Sequence, residues 1–432
     1  MTLKSPKSSL KIGLFLCFFM MSFMVGGLGA KAATAPNLQV KSAIAVDANT
    51  GQILYQKNDQ RKLPIASLTK LLSVYVVLKE IKAGHLHWNQ RVAISPEIAK
   101  ISRNSELTNV PLSANRKYTV RELYQASLIT SANAAVSALG NAVSGSPHRF
   151  VTKLRTTAKQ LHLTSAHIVT ASGITNGQAG KLGYSGILKN DENTMSAQDV
   201  ASLSRALLKE YPEILQTTSL SKAWFDKGGS SQTRMQNWNQ MLKGLGQYHA
   251  DLPVDGLKTG TSNAAGGNFV GTVNRNGHRL ITVVMHAANK TSGDPARFVQ
   301  TRKLMKWVYA TYQPLTLNAQ TYQLSNVKVP MGKVKTVETT VAQPSTVWIG
   351  KHQSRTQLQS KVQIAAGYRE KDGLKAPLAA NTTVGKVKLT LAGKSISQVG
   401  HSGTLSLPIK TISEIKQANW LVRTWRNLLS LF

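Results

Sequence analysis

The sequence predicts an α+β fold: an antiparallel sheet packed with helices, then a small all-β domain, then a C-terminal amphipathic helix. Three observations predict it. Strand-like segments stand at both ends of the first large region, with helical sequence between them. Residues 316–410 break into short alternating segments. The last 21 residues carry one apolar stripe at helical spacing.

Taken in order, Ser42–Val46 and Gln52–Tyr55 read as two strands around the turn Asp47-Ala48-Asn49-Thr50-Gly51. Pro64 precedes a helical stretch from Ser67 to Lys82, apolar at Leu71, Leu72, Val74, Tyr75, Val77 and Leu78. A mostly helical middle follows, including Val120–Val143 and Ala197–Tyr211. From Leu257 the pattern turns to strands, with Asn268–Val273 and His278–His286 flanking the turn Asn274-Arg275-Asn276-Gly277. A helix over Asp294–Tyr312 closes the region and Pro314 marks its end. Strands at both ends of one unit imply a single sheet that brings those ends together. The expected division is 38–313 for this first domain, 316–410 for the β-rich domain and 412–432 for the terminal helix. In that helix Ile415, Ala418, Val422, Trp425, Leu429 and Phe432 share one stripe, widened by Leu421 and Leu428. Two tryptophans beside Lys416, Arg423 and Arg426 suit a helix lying in a membrane surface; docking on the β-rich domain is the alternative.

The chain has 432 residues and 42 % apolar content, enough for two or three packed units. Residues 1–32 stand apart from them. Lys4, Lys7 and Lys11 precede an apolar run from Ile12 to Leu28, and Ala30-Lys31-Ala32 follows as a small-residue cleavage site. This reads as a secretory signal, with an uncleaved anchor as the rival. The only cysteine, Cys17, lies in that run, so the exported chain has no disulfide, no thiol nucleophile and no thiolate metal site. No metal or cofactor is expected. Net charge is +34, and removing the four lysines of residues 1–32, where there is no acid, leaves +30. So large an excess implies a polyanionic neighbour. For an exported chain without nucleic-acid motifs, that points to anionic lipids or anionic wall polymers and no nucleic acid, with colloidal solubility as the alternative.

Three short motifs carry the chemistry. Ser67-Leu68-Thr69-Lys70 puts a serine and a lysine one turn apart at a helix start. Serine attacks only when something takes its proton, and lysine does so only when burial or nearby positive charge keeps it neutral. The helix start also offers backbone N–H groups where an oxyanion develops. Ser131-Ala132-Asn133 sits between apolar residues, where polar side chains need partners. Lys258-Thr259-Gly260 opens a strand followed by Thr261-Ser262. A lysine and a threonine hydroxyl there can hold a carboxylate, and Gly260 would let a substrate backbone lie along the strand edge. Each motif alone has an ordinary structural explanation: an N-cap serine, a helix cap, an exposed edge-strand lysine.

Together and in this order, the three motifs resemble those of the serine D-Ala-D-Ala carboxypeptidases, the low-molecular-mass penicillin-binding proteins. The resemblance runs from Asn37 to Phe432. It includes Pro64-Ile65-Ala66-Ser67-Leu68-Thr69-Lys70, the stretch Asp255–Thr261, and the layout of catalytic domain, β-rich domain and tail. It implies a β-lactamase/transpeptidase-like fold and a peptidoglycan stem pentapeptide as substrate, with the terminal D-alanine released through an acyl-enzyme on Ser67. It implies Lys70 as base, Ser131 as proton relay to the leaving amine, and Asn133 orienting Lys70 and the substrate amide. Lys258 and Thr259 would bind the terminal carboxylate, with Gly260 beside them, and the N–H groups of Ser67 and Thr261 would form the oxyanion hole. β-Lactams would be covalent inhibitors. The expected location is the outer face of the cytoplasmic membrane or the cell wall.

The sequence departs from the family pattern at three places. Ala134 follows Asn133 where an aspartate is frequent. Gly266-Gly267-Asn268 stands where relatives often carry a cysteine nearby. Glu192-Asn193-Thr194-Met195 lacks the histidine and aromatic residue that many relatives show. A β-lactamase is the nearest rival, but the E-x-x-L-N motif of its class A is absent. An endopeptidase on wall cross-links could use the same site. From another class, a catalytically silent wall-binding protein is opposed by the intact Ser67, Lys70, Ser131, Asn133 and Lys258. Gly183-Tyr184-Ser185-Gly186 and Gly400-His401-Ser402-Gly403 miss the nucleophile-elbow pattern by one position. His85 and His87 lack a third ligand at zinc spacing.

Overall fold

The β-branched runs at the two ends of the first region meet in one five-stranded antiparallel sheet. Its strands are β1 (Ser42–Asp47), β2 (Ile53–Lys57), β3 (Val254–Ser262), β4 (Gly266–Arg275) and β5 (His278–Ala287), in spatial order β2-β1-β5-β4-β3. β1 pairs with β5 from Ser42↔Met285 to Asp47↔Leu280, which closes the domain on itself as the sequence implies. β3, which carries Lys258-Thr259-Gly260, is the free edge. The computed structural model describes residue 2 and residues 34–288, 293–322, 324–400 and 403–429. The expected export signal with Cys17, and His401, Ser402 and Phe432, lie outside the described residues.

Helices cover the sheet. α1 (Thr69–Lys82) is buried from Thr69 through Leu78, so it runs through the core as a central helix, and its first polar residues, Thr69, Lys70 and Ser73, are buried with it. Ser67 belongs to a short 3₁₀ turn, Ala66–Leu68, in front of it. The expected helix over Val120–Val143 is two helices, α2 (Val120–Leu128) and α3 (Asn133–Ser144). α2 opens on a capping box between Thr119 and Glu122. The break falls where Ser131 takes a left-handed φ of 64°, a conformation no helix interior accommodates. α4 (Ala197–Glu210) and α5 (Ala296–Thr311) match the expected helices to within a few residues. The middle also holds a small hairpin, Lys222–Phe225 with Thr233–Gln236, that the helical reading missed.

From α5 the chain passes straight into β6 (Tyr312–Leu317), which pairs with β8 (Ser345–Gly350). A second sheet orders β7 (Thr339–Val341), β11 (Ser406–Thr411), β10 (Thr383–Leu391) and β9 (Leu358–Ile364) as β7-β11-β10-β9. Trp348 on β8 is 1 % exposed and enters the core of the first domain. Its indole Nε1 donates to Asp47 Oδ2 at 2.9 Å. Its backbone N donates to Gln52 Oε1 at 2.8 Å, and Gln52 Nε2 donates back to Trp348 O at 2.7 Å. The backbone bonds Ile53 N to Ser397 O and Val399 N to Gly51 O complete the seat. The turn between β1 and β2 is thus the socket for the β-rich domain.

The terminal helix is shorter than expected. It spans Trp420–Leu429 (α6), and residues 412–419 are extended. Ile415 exchanges backbone bonds with Leu378, and Ala418 N donates to Met331 O, so these two members of the stripe lie buried in the β-rich domain. Strand-like pairing satisfies their backbone groups and buries both side chains at once, which outweighs a helix turn. Within α6, Trp420, Leu421, Trp425, Leu428 and Leu429 are all more than half exposed. Arg426 reaches the other way and donates to Pro330 O and Gly332 O. Among the described residues no helix is long and apolar enough to cross a membrane.

Replacing Trp348 by alanine removes a filled socket and strands Asp47 Oδ2. A loss of about 3–5 kcal/mol in urea unfolding is expected; a loss below about 1 kcal/mol would show that the socket does not hold the domains together.

Candidate active site

The site forms where α1 starts, where the α2–α3 break turns, and where β3 runs along the sheet edge. Ser67 is half-buried on its 3₁₀ turn, and Lys70 is fully buried one turn on. Lys70 Nζ lies 2.8 Å from Ser67 Oγ, 2.8 Å from Asn133 Oδ1 and 3.0 Å from Ser172 O. Burial, and then the positive charge of Lys258, hold this amine well below the ordinary lysine pKa. A neutral amine has two N–H groups and one lone pair. The N–H groups meet Asn133 Oδ1 and the Ser172 carbonyl, which leaves the lone pair facing the Ser67 hydroxyl.

Asn133 is fixed by its other end. Its Nδ2 and its backbone N both donate to Thr108 O at 3.0 Å, so the carboxamide oxygen can only face Lys70. Ser131 is 5 % exposed, and its hydroxyl makes no hydrogen bond among the described residues. Lys258 is 2 % exposed and donates to Thr259 O at 3.0 Å. Burial and the neighbouring Arg297 lower its pKa to about 7. Gly260 also has a packing role. A Cβ there would stand 2.6 Å from Ile65 O and 3.1 Å from Leu68 N, so the glycine lets β3 press against the turn that carries Ser67. Gly173, with φ of 82°, does the same from the other side, where a Cβ would lie 1.9 Å from Ala66 O.

Arranged this way, the groups can activate a serine, hold an oxyanion against backbone N–H groups, and attract an anion to buried cations. A family model described as D-alanyl-D-alanine carboxypeptidase matches residues 29–289, and one described as penicillin-binding protein 5, C-terminal domain, matches 312–417. The chain belongs to the D-alanyl-D-alanine carboxypeptidase family. It is 23 % identical to D-alanyl-D-alanine carboxypeptidase DacF of Bacillus subtilis, covering 97 % of this chain and 96 % of that one. To DacC of Escherichia coli it is 28 % identical, covering 92 % and 90 %. Among solved structures, PBP3 of Streptococcus pneumoniae, a peptidoglycan synthesis regulatory factor, superposes with a TM-score of 0.75 at 32 % identity, over 88 % of this chain and all of that one. Penicillin-binding protein D2 of Listeria monocytogenes, solved with ampicillin bound, superposes with a TM-score of 0.51 at 29 % identity, over 64 % of this chain and all of that one. The family is one of serine peptidases acting on D-alanyl-D-alanine, and the carboxypeptidase reading displaces the β-lactamase and the silent wall-binding protein.

Two groups escaped the sequence reading. Arg297, near the start of α5, is 6 % exposed and donates to Gly260 O at 3.1 Å and Thr261 Oγ1 at 2.6 Å. Burial lowers its pKa to about 10. No motif marks it; only the packing of α5 on β4 and β5 brings its side chain to β3. Asn193 is fully buried. Its Oδ1 accepts from Val169 N and Thr170 N, and its Nδ2 donates to Thr69 Oγ1 and Thr170 O, clipping the loop that supplies Ser172 to the start of α1. Its only sequence signal is the departure at Glu192–Met195. Ser185 and His85 lie away from these groups, with His85 on Glu80 at the surface.

Lys258 should be charged below pH 7 and neutral above it. Arg297→Met removes a positive neighbour, so the Lys258 pKa should rise above 7, read by NMR titration of carbon-labelled lysine. An unchanged midpoint would show that burial alone sets it.

Proposed function

We propose that Ser67 is the acylated nucleophile of a D-Ala-D-Ala carboxypeptidase acting on peptidoglycan stem pentapeptides. The observation that carries this reading is the buried Lys70 amine 2.8 Å from Ser67 Oγ, with its other bonds on Asn133 and Ser172. Ser67 Oγ attacks the carbonyl carbon between the two D-alanines while Lys70 takes its proton. The oxyanion rests on the N–H groups of Ser67 and Thr261. The C–N bond then breaks, and the proton passes from Lys70 through the Ser131 hydroxyl to the leaving amine. That role suits a hydroxyl with no hydrogen bond to any described residue, left for the substrate amine. Water, deprotonated in turn by Lys70, cleaves the ester and frees Ser67. Lys258 and Thr259, with Arg297 behind Thr261, hold the terminal carboxylate. Asn133 orients Lys70 and the substrate amide. Penicillins enter the same path, since their ring amide acylates Ser67 while the leaving group stays tethered.

The apolar run of residues 12–28 with its cleavage site supports export, to the outer face of the cytoplasmic membrane or the wall. The +30 charge beyond residue 32 supports an anionic surface there, of lipid or wall polymer. α6 supports the membrane: its polar Arg426 faces the protein while two tryptophans and three leucines face outward.

Ser67→Ala should lower D-alanine release from a stem pentapeptide by at least about a thousandfold and abolish labelling by penicillin; normal labelling would refute the assignment. Truncation after Asn419, which spares Ile415 and Ala418, should abolish co-sedimentation with anionic vesicles while soluble D-alanine release continues. Undiminished sedimentation would assign membrane binding to charge elsewhere.

A further inference from the structure

Glu192 is a buried carboxylate with no cation paired to it among the described residues, in a chain with 53 basic and 19 acidic residues. It is 7 % exposed. Its only hydrogen bonds among the described residues come from one hydroxyl, Ser262 Oγ, at 3.2 Å to Oε1 and 2.9 Å to Oε2. No lysine, arginine or histidine pairs with it among the described residues. Burial raises its pKa, the Ser262 hydrogen bond works against this, and the charge of Asp191 raises it again. The buried acids Asp226 and Asp47 are better served. Asp226 takes both forks of Arg116 and the Ser231 N–H. Asp47 takes Thr50 N, Thr50 Oγ1 and Trp348 Nε1. An ionised carboxylate has about four lone-pair sites, and leaving it short of partners in a buried place is costly. Glu192 therefore has capacity for a further donor.

Its position says what that donor is. Ser262 is the last residue of β3, directly after Thr261, and its hydroxyl is held by Ala265 N at 2.9 Å. On the proposed reading, the terminal carboxylate lies at Lys258 and Thr259, and the attacked carbonyl lies between Ser67 and Thr261. An extended peptide along the free edge of β3 then runs antiparallel to the strand. Its residue before the D-Ala-D-Ala pair falls beyond Thr261, beside Ser262 and Glu192. We propose that Glu192, backed by Ser262, binds an ammonium on the side chain of that preceding residue, and so selects stem peptides with a diamino acid there. An ammonium supplies three donors to the unused oxygens and the missing counter-charge.

This rests on the carboxypeptidase reading, so the test separates the two. D-Alanine release is measured from Nα-acetyl-L-Lys-D-Ala-D-Ala, from its Nα,Nε-diacetyl counterpart, and from a meso-diaminopimelyl pair with the side-chain amine free or acetylated. The free-amine peptide should have a kcat/KM about tenfold or more above its acetylated counterpart, and Glu192→Gln should bring that ratio close to one. A Glu192-dependent preference in the lysyl pair assigns the ammonium to lysine; one in the diaminopimelyl pair assigns it to diaminopimelate. A wild-type ratio near one in both pairs overturns the proposal while leaving the carboxypeptidase intact, as does an equal loss on free and acetylated peptides in Glu192→Gln. If the wild type releases D-alanine from no peptide, the carboxypeptidase reading falls and this proposal with it. Should Glu192→Gln not yield folded protein by circular dichroism, Glu192→Asp decides. A smaller ratio, from the withdrawn carboxylate, supports the proposal, and an unchanged ratio overturns it.

Discussion

A lysine amine must be buried, uncharged, and still within reach of a serine. Everything else around this site answers to that requirement. Burial alone would make Lys70 neutral at a high desolvation cost, and the positive charge of Lys258 pushes in the same direction. Arg297 then bears on Lys258 as Lys258 bears on Lys70. Lys70 is held well below the ordinary lysine range, Lys258 sits at about 7, and Arg297, at about 10, stays charged. Asp294 offsets part of the charge at Arg297, and an anion that enters near Lys258 is favoured as well. A substrate carboxylate would relieve Arg297 and Lys258 without protonating Lys70, provided it stays at the β3 end of the cleft.

Holding that amine needs backbone at close quarters from segments far apart in the chain. Gly260 brings β3 against the Ser67 turn, and Gly173 brings the 168–173 loop against its other side. Asn193 ties that loop to Thr69, and Asn268 Nδ2 donates to Pro64 O just before the turn. The turn is gripped from three directions, which fixes a half-exposed hydroxyl to a buried amine without a lid. The left-handed φ of 46° at Ala66 is part of the same constraint, since the chain must bend sharply to present Ser67 before α1 begins.

Much of this was legible because the sheet and the Ser67–Lys70 pair come from local signals. Val and Ile alternation with Asn276-Gly277 marks β4 and β5, and serine and lysine at i and i+3 fall on one face of any helix. What stayed hidden depends on distant packing. Arg297 sits in a helix packed on β4 and β5, and nothing in its neighbours says that its side chain will reach Gly260 and Thr261 of β3. Ser131 stands in what reads as one apolar helix. The break there is set by a left-handed residue and by Thr108 and Asn109 taking over the first amides of α3, the latter accepting from Ala134 N at 2.8 Å. At the tail, helical periodicity overreached because Ile415 and Ala418 have the right spacing for a helix but find β partners in Leu378 and Met331. Periodicity reports which face is apolar; it cannot report which surface will cover it.

The same sheet that presents β3 to the site receives the β-rich domain at its opposite side. Trp348 plugs the β1–β2 turn, β1 is bonded to β5, β5 to β4, and β4 to β3. A continuous hydrogen-bonded path therefore joins the docking socket to the strand bearing Lys258. At its far end the β-rich domain holds α6 by Arg426 and leaves its tryptophans outward. If that face lies on a membrane, the cleft stands at a set height above it, because neither the α5–β6 passage nor the Trp348 seat provides a flexible linker. Docking and membrane contact are then one arrangement. The polar Arg426 of α6 binds the protein, and for that reason its tryptophans and leucines face outward.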